Sequence, residues 1–185
     1  NTTTSFSLDN NTLTITNGAI TRSAATGTTT ITSAVALGAL GAWDITGALI
    51  ANGVVSGAFA LTKSGTGTLT LGGTNTFTGA LTVGDGVLSI GTINNTSVAG
   101  VLGNSANAVI LGGSGSTGTL QYTGVTASST KTFTIATSGT GVFQIDASGT
   151  TLTASGVIAG SGGLTKTGAG TLTLNGANTY TGATL

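Results

Sequence analysis

Along most of the chain, apolar and polar residues alternate. In Thr68-Leu69-Thr70-Leu71 the two leucines point one way and the two threonines the other. The same holds for Thr171-Leu172-Thr173-Leu174, Thr12-Leu13-Thr14-Ile15-Thr16 and Lys131-Thr132-Phe133-Thr134-Ile135. Phe77, Leu81 and Val83 continue the alternation on the next short segment. A period of two over such short runs predicts half-buried β-strands, and the Gly-Gly, Ser-Gly, Asn-Gly and Gly-Asp-Gly clusters between them predict tight turns. No window of helical period competes, and the spacing leaves no room for the crossover helices of ordinary parallel α/β sheets. Leu69, Leu71, Phe77, Leu172, Leu174 and Tyr180 are then the inward positions, with Thr68, Thr70, Thr171 and Thr173 outward.

The pattern also repeats at long range. Residues 61–80, LTKSGTGTLTLGGTNTFTGA, and residues 164–183, LTKTGAGTLTLNGANTYTGA, are identical at 15 of 20 positions. Upstream, GVVSG (53–57) faces GVIAG (156–160), and Trp43-Asp44-Ile45 roughly parallels Phe143-Gln144-Ile145. The offset of 103 residues corresponds to five units of roughly 20 residues, if each unit is one solenoid coil. Two all-β architectures fit short strands: an antiparallel sandwich or barrel, using Asn52-Gly53 and Asp85-Gly86 as hairpin turns, and a parallel β-helix. Near-identical segments a whole number of coils apart favour the β-helix, with about nine coils along a rod of roughly 43 Å. Asn75 and Asn178 share a repeat position, as inward asparagines at a coil corner whose amides stack along the axis would. The absence of proline fits a chain whose N–H groups are committed to neighbouring coils.

These residues carry a resemblance. L-T-K-S-G-T-G-T-L-T-L-G-G-T-N-T-F-T-G-A, followed by L-T-V-G-D-G-V-L-S-I-G, resembles the autotransporter-associated β-strand repeat, also called the passenger-associated transport repeat. Residues 163–185 resemble it more closely still but stop partway through the unit, and VLGNSANAVILGGSGSTGTLQYTG (101–124) is similar to the text between such repeats in large bacterial surface proteins. The resemblance implies a right-handed parallel β-helix exported by a Gram-negative bacterium as part of a long passenger or adhesin. It implies no catalytic residues.

Composition narrows the chemistry. The chain has 185 residues, 42 of them Thr and 33 Gly, with no Pro, Cys, Met, His or Glu. Without His and Cys, zinc, haem, iron–sulfur and copper sites lack their usual ligands. Four cations (Arg22, Lys63, Lys131, Lys166) balance four anions (Asp9, Asp44, Asp85, Asp146), which leaves no basic footprint for nucleic acid. At 38% hydrophobic and 4% charged, the chain is too apolar to be disordered. Residues 34–55 are the most apolar stretch, but four glycines with Asp44, Thr46 and Asn52 argue against a membrane span. No basic segment of signal-peptide type opens the sequence.

Candidate chemistry is sparse. The four aspartates lie 35, 41 and 61 residues apart, so no pair for acid–base work is built into the repeat. Asp85, in Gly84-Asp85-Gly86, reads as a turn residue bonding its own backbone, and Asp146 as a turn opener. Lys63 and Lys166 share a repeat position and read as solvated corner residues that discourage sideways strand association. Trp43 reads as a core filler first and a sugar-stacking platform second. Serine and threonine lack a histidine base, the run GGSGSTG (112–118) lacks a phosphate-loop ending, and the sequons at Asn1, Asn10, Asn94 and Asn95 are expected by chance in a threonine-rich chain. A flat file of threonines over many coils would point to ice binding.

The expectation is therefore a single solenoid over 1–185, with its repeat units best matched at 53–83 and 156–185. It is a stalk or fibre segment outside a bacterial cell, with no catalytic, cofactor or metal residues. A carbohydrate-binding adhesin segment is the alternative. Neither end carries an evident cap, so the partner expected is either further repeats of a longer chain or a second copy stacked head to tail into a filament.

Overall fold

The computed structural model describes residues 4–6, 12–23 and 26–185. Asn1, Asp9 and Asn10 lie outside the described residues. Every described element is a strand, and every strand pairing between named strands is parallel. The chain winds around three faces, visiting each in turn.

The first face stacks eight strands in chain order: β1 (Thr4–Phe6), β4 (Thr28–Ile31), β7 (Ala48–Ala51), β10 (Thr68–Leu71), β12 (Gly86–Ile90), β14 (Thr117–Tyr122), β17 (Thr140–Ile145) and β20 (Gly163–Thr167). The second stacks seven: β3 (Ile20–Arg22), β6 (Gly41–Ile45), β9 (Leu61–Ser64), β11 (Leu81–Val83), β13 (Val109–Leu111), β16 (Phe133–Ile135) and β19 (Ile158–Gly160). The third is divided into β2 (Leu13–Ile15), β5 (Val35–Leu37) and β8 (Val55–Ser56), and then β15 (Ala127–Ser129), β18 (Thr151–Ala154) and β21 (Thr171–Leu174). The hairpin alternative is excluded at Asn52-Gly53 and Asp85-Gly86, which join strands of different faces.

The alternation of the sequence fixes what lies inside. Register brings Leu49, Leu69, Leu88, Leu120 and Phe143 into one inward file on the first face. On the second face, Leu61 lies directly over Gly41 and under Leu81, and Val109 lies under Phe133, which is followed by Ile158. All but Gly41 are buried apolar residues of one continuous core, in which Phe133 and Phe143 meet edge-to-face at 4.9 Å. Each coil thus buries a few side chains against the coil below, and the hydrophobic gain accumulates along the axis instead of around a centre. Leu69, Leu71 and Phe77 are fully buried as expected, whereas Leu172, Leu174 and Tyr180 are half-buried and pack against the core from its last coil.

Two expectations are corrected. Eight stacked strands make about seven turns, not nine, because coils are not uniformly 20 residues long. The step is 20 residues from Thr28 to Ala48 and from Ala48 to Thr68, but 32 from Val87 to Thr119 and 23 from Thr119 to Val142. The repeat offset is also not a whole number of coils. Four coils above Thr62 on the second face, through Thr82, Ile110 and Thr134, lies Ala159, an offset of 97 residues. Thr165, the repeat counterpart of Thr62, comes six residues later, on the first face. The second copy is therefore rotated by one face: LTK lies on β9 in one copy and on β20 in the other, and TLTL on β10 and then on β21. The rotation is tolerated because all three faces ask the same of a strand, namely apolar residues inward at every second position.

Candidate functional site

The most elaborate polar structure grows from Lys63. Because side chains alternate, Lys63 shares the inward face of β9 with Leu61, and it stands in the core file between Trp43 and Val83. Its exposure is 0%. The stem runs through the core and the ammonium ends, still enclosed, at the corner toward the first face. There it donates to the carbonyls of Gly65 (2.7 Å), Asp85 (2.8 Å) and, more weakly, Ser64 (3.3 Å). Burial pushes its pKa down to about 8, against the opposing pull of the Asp85 and Asp44 carboxylates. The expectation of a solvated corner lysine is thus wrong for Lys63. Lys131 is likewise buried, donates to the Ser105 carbonyl at 2.9 Å, and is pushed down in pKa by burial. Lys166 repeats part of the Lys63 arrangement on another face, donating to the Gly168 carbonyl at 2.6 Å. Gly65 and Gly168 are equivalent, and both need the left-handed backbone, with φ of 74° and 79°.

Asn75 and Asn178 are the second shared device. The Asn75 side chain is fully buried; its Oδ1 accepts the Val55 N–H at 2.8 Å and its Nδ2 donates to the Val101 carbonyl at 2.9 Å. Asn178 Oδ1 accepts the Ile158 N–H, also at 2.8 Å and also 20 residues earlier. The amides do not stack on one another as expected. They bond backbone groups that the corner would otherwise leave buried and unpaired, a lapse that costs ~1–3 kcal/mol each. The surrounding backbone is copied too: Thr76 and Thr78 donate to Val55 and Gly57, and Thr179 and Thr181 to Ile158 and Gly160.

Sequence reasoning missed the excursion over residues 91–108, which accounts for the 32-residue step and divides the third face. It closes on Asn94, whose Nδ2 donates to Val98 (2.7 Å) and Gly103 (2.8 Å) and whose Oδ1 accepts the Leu102 N–H (2.9 Å). An antiparallel bridge joins Asn75 to Gly100 below, and above, Ser129 Oγ donates to the Asn94 carbonyl and the Thr130 N–H to Asn95 Oδ1. The partners are backbone groups gathered by turns, so no residue pattern announces them.

The remaining candidates are dispersed. Asp85 bonds its neighbour's backbone, accepting the Gly86 N–H at 2.9 Å. Asp146 is more than a turn opener, since its two oxygens accept Gln121 Nε2 (2.8 Å) and Gln144 Nε2 (2.7 Å) from adjacent coils. Trp43 is fully buried, which removes the sugar-platform reading, and its Nε1 has no hydrogen-bond partner among the described residues. Burial also raises the pKa of Tyr122, whose hydroxyl donates to the Val125 carbonyl at 2.6 Å. In the paired strands outward threonines stack no more than two coils deep, as Thr62 under Thr82 and Thr151 under Thr171. Ala48 stands between Thr28 and Thr68, and Ile110 between Thr82 and Thr134. The flat threonine file needed for ice binding is therefore missing among the described residues.

Comparison with known proteins agrees with this geometry. The passenger-associated transport repeat family matches residues 61–90 and 164–185, the two segments that carry the Lys and Asn devices. Over 123 residues, 66% of this chain, the sequence is 38% identical to a Brucella suis protein named as the adhesin BmaC autotransporter. The chain spans 4% of that protein's length. No solved structure matches the chain.

Proposed function

Since the chain belongs to the passenger-associated transport repeat family, we propose that it is a non-catalytic length of rod in the exported passenger of a bacterial surface protein, held outside the cell. The observation that carries this reading is the continuity of the first two faces, whose eight and seven parallel strands run the whole described length without interruption. A rod of seven coil-to-coil steps is roughly 34 Å long at ~4.8 Å per step. Its outermost strands, β1 and β21, each have one strand partner among the described residues, and the other edge is offered for a further coil. That coil comes from the same polypeptide or from a second copy stacked end to end. Small-angle scattering and negative-stain imaging test the rod: particles of fixed width whose length is a coil multiple support it, and a compact globule sinks it. Light scattering over a range of concentrations separates a monomeric rod from stacked copies.

A second reading makes the outward faces adhesive for carbohydrate or protein. It is favoured by the name of the Brucella relative. Binding of the purified chain to glycan arrays or host-cell surfaces, absent for an unrelated solenoid, would establish it.

A further inference from the structure

The corner between β9 and β12 is shaped around an ammonium. Three carbonyl oxygens, from Ser64, Gly65 and Asp85, converge on Lys63 Nζ, and the Asp44 and Asp85 carboxylates supply the nearby negative field. Gly86 leaves the space: a Cβ there would lie 2.8 Å from Nζ and 2.5 Å from the Gly65 carbonyl oxygen. Its φ of 68° independently disfavours any side chain. Two coils are tied at this one point, because Ser64 and Gly65 belong to one coil and Asp85 to the next. On the other copy's face, Lys166 reaches the Gly168 carbonyl in the same manner, so the arrangement follows the repeat and not a particular face.

We infer that this corner is an internal binding site for a primary ammonium, filled in the native chain by Lys63 as a tethered latch, and that the ammonium rather than the aliphatic stem fixes the turns at 64–67 and 84–86. The chemistry selects a primary ammonium because its three N–H donors match three carbonyls, whereas a tetraalkylammonium has none.

Lys63→Met and Lys63→Ala separate stem from charge. In Lys63→Met the core file stays filled, so the chain should keep its cooperative unfolding and buried Trp43 emission. Amide exchange at residues 65–67 and 84–87 should then rise about tenfold or more relative to wild type. In Lys63→Ala the cage is empty, and n-propylammonium chloride should restore protection at those amides in a saturable manner. Sodium chloride and tetramethylammonium chloride at matched ionic strength should not. Unchanged exchange in Lys63→Met would show that the stem suffices and overturn the inference, as would equal rescue by all three salts. Should either variant fail to fold, the wild type still decides. With lysine labelled at Nζ, a slowly exchanging Lys63 ammonium at neutral pH, coupled across its hydrogen bonds to the Gly65 and Asp85 carbonyls, supports the latch, and a fast-exchanging Lys63 ammonium refutes it.

Discussion

The two repeat copies are the same text read on different faces. Around residues 61–80 the Leu, Lys and Asn side chains are enclosed by coils on both sides, and Leu69, Lys63 and Asn75 are all fully buried. Around 164–183 their counterparts Leu172, Lys166 and Asn178 are half-buried, yet they make the same local bonds, to the carbonyl two residues on and to the N–H 20 residues back. The repeat therefore encodes a way of turning a corner and bonding the coil beneath. It does not encode a position around the rod, because a strand with apolar residues at alternate positions fits any of the three faces.

The largest expected effect breaks the interior. Leu71→Asp places an unpaired charge in a closed core and should cost at least ~3 kcal/mol, while its counterpart Leu174→Asp, half-buried, should cost ~1 kcal/mol. Urea unfolding followed by Trp43 emission checks both, and equal losses would mean that the two copies are enclosed alike. Next, Asn75→Ala should cost ~2–3 kcal/mol, because it orphans the Val55 N–H and releases Val101, whereas Asn178→Ala loses the one bond to the Ile158 N–H, ~1 kcal/mol.

A pH titration sharpens the comparison further. Burial holds Lys63 down at about 8, so between about 8 and the ordinary 10.5 the unfolded chain binds more protons there than the folded one, and Lys131, also pushed down by burial, acts in the same direction. Stability should therefore rise with pH across this window. Above about 10 the raised pKa of Tyr122 acts the other way, since the unfolded tyrosine loses its proton first. Melting temperatures from pH 7 to 10 check the slope, which Lys63→Met should flatten; a fall over that range would contradict it. The smallest effect should come from outward threonines: Thr68→Val and Thr171→Val should each stay within ~0.5 kcal/mol of wild type.

Much of this was legible in the residues. The two-residue period gave the strands, and identity at a long offset gave the solenoid. Lys63 was legible too, since Leu61-Thr62-Lys63 puts lysine and leucine on one side of the strand; reading lysine as necessarily solvated overrode that parity. The rotation of the second copy was not legible. It depends on the summed lengths of the intervening coils, and the excursion that lengthens one of them closes through Asn94 onto backbone groups of residues 98–103. Backbone partners leave no mark in side-chain pattern.

The break in the third face has a mechanical meaning. Two walls of the rod carry unbroken stacks of paired strands along the axis, while in the third the parallel strands stop at β8 and resume at β15; Thr76 and Thr78 still bond the β8 coil, and the excursion is set above them by the antiparallel bridge from Asn75 to Gly100. Loaded as a beam, such a rod is stiffest where its rows are continuous and most compliant along the seam. It bends by opening or closing that wall, and in a passenger assembled from many such coils the spacing of insertions like residues 91–108 would set the direction in which the fibre curves.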